Sequence, residues 1–451
     1  MNIVQVEKVE ITPNNQPSDN TYSFKGGNPI ITIQVASANK LLKASSVRLN
    51  GTLRVNTANG ALPDNNNAKG GGEVNIQLND RIGVNSVIQN VVMSSEQTGQ
   101  TLESIRQYGR LVASMLPSVS SPETFMNEMT ITSLAMGVQD AGNLAVNNEV
   151  SFSIPIYAGL LQSGTSIPLG TNGVRGLNIQ IELAPDQMVL SGADASTGLG
   201  AFYQLKDLTL TADLLVPDAE GQQALAVAGS GAFTYNSFNS LYSVINSSDS
   251  TQQYNLATNN ALSVIHNFLP VSHANNYAHD SFATNMLLNK ATATNQYDTK
   301  VDLDKVSFTR GGVKLALDYE LDSETQSAQA RPETGVLLNF LNAFRPLYNL
   351  FSLYNTNQGI GFGGNQMSLY DDELPQALTY VDAGKRNFGV GIALDNVSKF
   401  GVSFRGQNYA TRIQSSLNTG AGVDNSPNAI YSYVLAKNTL QYSPQGIMVM
   451  S

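Results

Sequence analysis

The chain's three histidines, His266, His273 and His279, fall in one stretch that closes on His279-Asp280. Imidazoles near a carboxylate supply the donor atoms a transition metal prefers. Their spacing matches no zinc pattern, so the stretch reads as a structural loop. Gly359-Ile360-Gly361-Phe362-Gly363-Gly364 spells G-x-G-x-x-G. It follows a helical pattern inside a Gly/Asn-rich loop, without the strand before it or the helix after it that would aim backbone amides at a pyrophosphate. Asp371-Asp372-Glu373 offers oxygens to calcium but lacks the spacing of a dedicated loop, and reads as an exposed turn. Ser18-Asp19-Asn20 and Ser37-Ala38-Asn39-Lys40 echo two penicillin-recognising motifs, in the wrong order and without the third. Glycosylation sequons stand at Asn50, Asn246 and Asn396, and their use depends on the compartment. No nucleophile, base and metal come together, so no catalytic, cofactor-binding or metal-binding residue is assigned and no enzymatic activity is expected.

The elements around these residues are strands for the most part. Ser45 to Asn56 places Val47, Leu49, Leu53 and Val55 on one face and Arg48, Asn50, Thr52 and Arg54 on the other. Period-two runs recur at 31–35, 74–78, 150–156, 177–183 and 208–214, then at 301–308, 313–321, 388–394 and 430–440. Met1 to Ile11 has the same character. Turn chemistry such as Asn59-Gly60, Gly70-Gly71-Gly72 and Asn172-Gly173 falls between the runs. Short strands joined in this way indicate antiparallel sandwiches.

Two stretches carry apolar residues at three- and four-residue spacing. Gly99 to Leu116 predicts a helix with Leu102, Ile105, Tyr108, Leu111, Val112 and Met115 on one stripe, ended by Pro117. Pro332 to Phe344 predicts a second, with Val336, Leu337, Phe340, Leu341 and Phe344. Ser121-Pro122-Glu123 opens a further short one. The second stretch starts 233 residues after the first, and a strand opening at Phe152 is matched by one at Phe388, 236 residues on. The first half closes in an alternating strand at Pro217, 234 residues before the end of the chain. Three landmarks at one spacing predict two tandem all-β units, residues 1–217 and 218–451, with the small, Gly/Ala-rich stretch 217–231 as linker.

Composition narrows the role. Hydrophobic residues make up 41%, enough for two packed cores, while charged residues are only 13% against roughly 25% in an average soluble protein. An exterior rich in Asn, Gln, Ser and Thr loses little charge solvation when a neighbour covers it. The net charge of −10 and the lack of a basic cluster near either terminus argue against direct nucleic-acid binding and against attraction to an anionic membrane. The amino-terminal segment lacks the regions of a secretory leader, and no apolar run approaches the ~20 residues of a membrane span. With no cysteine, disulfides and thiolate chemistry are excluded.

The run Asp80-Arg81-Ile82-Gly83-Val84-Asn85-Ser86, continuing through Ser94-Ser95-Glu96-Gln97-Thr98-Gly99-Gln100 to Glu103-Ser104-Ile105 and Tyr108, resembles a segment of double jelly-roll major capsid proteins. The likeness is to those of virophages, polinton-like viruses and nucleocytoplasmic large DNA viruses. Phe152-Ser153-Ile154-Pro155-Ile156, Gly159-Leu160-Leu161, Ile167-Pro168-Leu169, Leu177 to Leu183 and the closing strand Leu208 to Pro217 are similar to the same family. The resemblance implies two eight-stranded jelly rolls per chain and a homotrimer of pseudo-hexagonal outline. It also implies icosahedral shells of double-stranded DNA viruses, with neighbouring capsomers, penton and minor capsid proteins as partners and no cofactor. Loops 186–202, 355–366 and 414–427 are then expected to form towers or contacts between subunits. The other reading of the residues is a minor capsid, spike or carbohydrate-binding β-sandwich module, for which 18 tyrosines leave room although tryptophan is absent.

Overall fold

Alternation of apolar and polar side chains becomes sheet along most of the chain. The computed structural model describes residues 2–56, 76–78, 82–119, 149–164, 166–170, 174–192, 201–227, 231–245, 249–256, 258–277, 281–282, 301–315, 319–320, 390–394, 401–417, 427–443 and 446–450. The first half contains β1 (Ile3–Ile11), β2 (Thr21–Tyr22), β3 (Ile30–Ala36), β4 (Lys40–Asn56), β5 (Ile76–Leu78), β6 (Ile88–Ser95), β7 (Thr101–Arg106), β8 (Glu149–Pro155), β9 (Ser166–Leu169), β10 (Gly176–Leu183), β11 (Leu190–Gly192) and β12 (Phe202–Pro217). The second half contains β13 (Gly231–Ile245), β14 (Asp249–Tyr254), β15 (Ala261–Pro270), β16 (Val301–Arg310), β17 (Val313–Lys314), β18 (Tyr319–Glu320), β19 (Val390–Ala393), β20 (Tyr409–Leu417), β21 (Asn428–Ser443) and β22 (Gly446–Met450).

Without the short β2, β5, β9 and β11, the long strands of the first half pair as β1-β12-β4-β8 in one sheet and β3-β10-β6-β7 in the other. Counted along the chain, these are first-eighth-third-sixth and second-seventh-fourth-fifth. The second half repeats both orders as β13-β21-β15-β19 and β14-β20-β16-β17. That is the jelly-roll order, present twice. The two units share a sheet, because β13 lies beside β7 through one parallel pair, Asn239 with Ser104. One continuous core results, running from Ile33, Leu49 and Ile179 through Ile105, Tyr108 and Leu111 to Phe238, Phe268 and Phe308.

Most period-two runs lie where expected, and the departures have local causes. Gly99 to Leu116 is not one helix. Gly99 adopts φ +68 in a tight turn, its N–H donating to Ser95 O at 2.9 Å, and Thr101–Arg106 returns as β7 against β6. The helix starts only at Tyr108, after Gln107 breaks the strand at φ 55, and it continues past Pro117 to Val119. Leu102 and Ile105 fit a helical stripe by spacing, but the ladder to β6 satisfies their backbone. The stretch 217–231 is also more ordered than a linker. Ala219–Val227 is a helix, started by Asp218 Oδ1 accepting the Gly221 N–H at 2.9 Å; its weak amphipathicity hid it. Val313 to Leu321 is broken: β17 and β18 pair separately with β16.

The second half's eighth strand ends at Ser443 and β22 follows it, so the chain end does not mirror Pro217. Of the expected loops, 186–202 begins with a helical turn at Asp186–Val189 and β11, and 414–427 begins inside β20. Loop 355–366, the helices expected at 332–344 and after Ser121, Gly359 to Gly364, Asp371 to Glu373, His279, Asn246 and Asn396 lie outside the described residues. No described helix is long and apolar enough to cross a membrane.

Candidate functional site: the joint between the sandwiches

The joint is built on β7, the last strand of its sheet in the first half. Alternation sends Glu103 to the same side as Ile105, toward the core. Its carboxylate is 3% exposed. It accepts the Gly159 N–H at 3.0 Å and the Leu160 N–H at 2.8 Å, both in the helical turn Gly159–Gln162, and the Phe238 N–H of β13 at 2.7 Å. One acid therefore ties three segments together across the two units. Burial pushes its pKa up from 4.5 to about 7, and the three N–H donors hold it from rising further.

Further bonds run beside it. Tyr235 O–H donates to Leu102 O at 2.8 Å, the Arg106 N–H donates to Ser240 Oγ at 3.0 Å, and Tyr433 O–H donates to Gln107 O at 2.9 Å. Deeper in the joint the Arg110 guanidinium donates to Ser281 O and lies 4.4 Å from the centre of the Tyr431 ring. Asn267 of β15 donates to Arg110 O at 3.2 Å and accepts from Ser114 Oγ at 2.7 Å. At the far end Tyr277 O–H donates to Ala201 O at 2.8 Å.

Gly159 is required by this closeness. A Cβ there would stand 2.4 Å from Asn236 O and 2.7 Å from its carbonyl carbon. Gly159→Ala is expected to cost about 2–3 kcal/mol, because backbone of the other unit must move, and a shift of the urea unfolding midpoint measures it.

His266 is in the core of the second sandwich. It is fully buried, with Nδ1 2.7 Å from Ser432 Oγ and Nε2 2.8 Å from the Tyr409 hydroxyl. Thr411 Oγ1 is 3.2 Å from the same Nε2, and the ring stacks on Phe308 at 5.9 Å and on Tyr409 at 6.1 Å. Burial lowers its pKa from 6.5 to about 3, so the ring is neutral. His273 is buried in the 3-10 turn Val271–His273 and does not join this cluster. No metal-holding group of acids and imidazoles occurs among the described residues. Asn50 lies within β4 and donates to Thr211 Oγ1 at 3.1 Å. Ser18 to Asn20 form a turn before β2, and Ser37 to Asn39 connect β3 to β4.

Sequence reasoning missed Glu103 and Arg110. The available signal was an acid two residues from Ile105, on the inward side of what proves to be a strand; a helical reading of that segment concealed it.

No family profile and no curated protein matches the sequence. Solved structures do. A quasi-atomic model of the PBCV-1 virus capsid matches at TM-score 0.57 and 11% identity, covering 99% of this chain and 96% of that one. The Faustovirus major capsid protein matches at TM-score 0.57 and 8% identity, covering 97% and 90%. A chain of the Sputnik virophage, from its structure by cryo-EM, matches at TM-score 0.52 and 11% identity, covering 99% and 88%. With these alignments spanning both units, and with the jelly-roll strand order present in each, the chain has the double jelly-roll fold of the major capsid proteins of virophages and large DNA viruses.

Proposed function

We propose that this protein is a major capsid protein, with units 1–217 and 218–451. It trimerises into pseudo-hexagonal capsomers that tile the icosahedral shell of a double-stranded DNA virus, alongside penton and minor capsid proteins. The observation that carries this reading is the repeat of one strand order in two sandwiches joined side by side through β7 and β13. Two similar units per chain let a three-fold oligomer present six similar sides to six neighbours. The exposed apolar side chains of Ile3, Val4 and Val6 on β1, an outermost strand, support it, since such an edge is normally covered. The function is shape and contact, not catalysis. The one Ser–His pair described, Ser432 with His266, is sealed in the core and has aromatic and hydroxyl partners in place of an orienting acid.

Solution mass tests this first. The expected species is a trimer of three 48.2 kDa chains with a hexagonal outline in negative stain. A stable monomer across assembly conditions would overturn the capsomer reading in favour of a minor capsid, spike or binding module.

A further inference from the structure

Where the outer face of the shared sheet crosses the joint, an open groove of about 700 Å³ runs over β10, β6, β7, β13 and β21. That size lies within the ~300–1,000 Å³ of small-ligand sites, which favour junctions of this kind. We propose that the groove binds a neutral oligosaccharide. This inference stands apart from the capsid reading, because it needs only the folded chain.

The aromatic part is Tyr242, 57% exposed, with its ring centre 5.3 Å from that of Tyr431 at an interplanar angle of 52°. Tyr431 is in turn fixed by the Arg110 guanidinium. An exposed ring held from behind presents a flat apolar surface to the C–H face of a pyranose without losing much freedom on binding.

The polar part is equally set. Asn90 Nδ2 donates to Glu182 Oε2 at 2.5 Å, while Asn90 Oδ1 accepts the Gln107 N–H at 3.1 Å. Ser240 Oγ is placed by the Arg106 N–H, and the exposed Arg106 guanidinium makes no ion pair among the described residues. Planar amide, carboxylate and guanidinium groups together offer the paired donors and acceptors that vicinal hydroxyls require. One cation and one carboxylate leave the lining without net charge, which favours a neutral sugar over an acidic one.

The test is saturation-transfer NMR and calorimetry on the full chain. The probes are neutral trisaccharides of N-acetylglucosamine, mannose and glucose, with sialyllactose as the charged comparison. At least one neutral trisaccharide is expected to bind more tightly than sialyllactose. Tyr242→Ala is expected to weaken that binding about tenfold and Glu182→Gln severalfold, with unchanged circular dichroism and unfolding midpoint. A panel with no neutral binder, a preference for sialyllactose, or full affinity in Tyr242→Ala would overturn the proposal. So would hydroxyl-radical labelling that finds Tyr242 protected in the oligomer, because a second copy would then occupy the groove.

Discussion

Glu103→Ala is expected to lower stability by at least about 3 kcal/mol, since it strands the buried N–H groups of Gly159, Leu160 and Phe238 at about 1–3 kcal/mol each. Urea unfolding of the purified chain measures this. Glu103→Gln keeps one acceptor oxygen and should fall between the variant and the parent. A loss below about 1 kcal/mol in Glu103→Ala would mean that water replaces the carboxylate and that the joint does not depend on it. The acid also makes the joint respond to pH. Its folded pKa of about 7 lies above the ordinary 4.5, so between these values the folded chain holds a proton that the unfolded chain has released. Stability from this group is complete below pH 4.5 and is lost as pH rises through about 7, at about 1.4 kcal/mol per pH unit.

His266 works in the opposite direction. Its folded pKa of about 3 lies below 6.5, so in that interval the unfolded chain binds the extra proton. Its stability is complete above pH 6.5 and is lost as pH falls toward 3, again at about 1.4 kcal/mol per unit. From about pH 4.5 to 6.5 the two slopes oppose each other, and their contributions to the parent's stability cancel. Separating them is the strongest test. Glu103→Gln is expected to lose stability as pH falls through this window, and His266→Phe to lose it as pH rises. Parallel pH profiles in both variants would show that neither buried group titrates as described. His266→Ala, which also leaves Ser432, Tyr409 and Thr411 without their shared partner, is expected to cost about 3–5 kcal/mol.

The strands were legible because burying one face of a sheet writes itself into the chain as alternation. Ser45 to Asn56 shows this: Val47, Leu49, Leu53 and Val55 are all buried in β4, and Arg48 and Arg54 face outward. The repeat was legible for the same reason, since two sandwiches of one plan place corresponding strands at one spacing. Thr101 to Arg106 was not. Leu102, Ile105 and Tyr108 satisfy a helical stripe, and what makes the first two a strand is pairing with β6, a partner that spacing alone does not reveal. The helix at Ala219–Val227 escaped because its stability comes from propensity and the Asp218 cap, and not from an apolar stripe.

The histidines show the same division. Their spacing was enough to reject a zinc pattern. It could not show that His266 meets Ser432 and Tyr409, because those contacts join residues 166 and 143 positions apart. Local chemistry thus accounts for an all-β chain, doubled, without thiols and with an uncharged polar exterior. The parallel meeting of β7 and β13, the burial of Glu103 between the units and the tyrosine-rimmed groove arise only once the chain has closed on itself. Periodicity records which face of an element is buried. It carries no address for the neighbour that buries it.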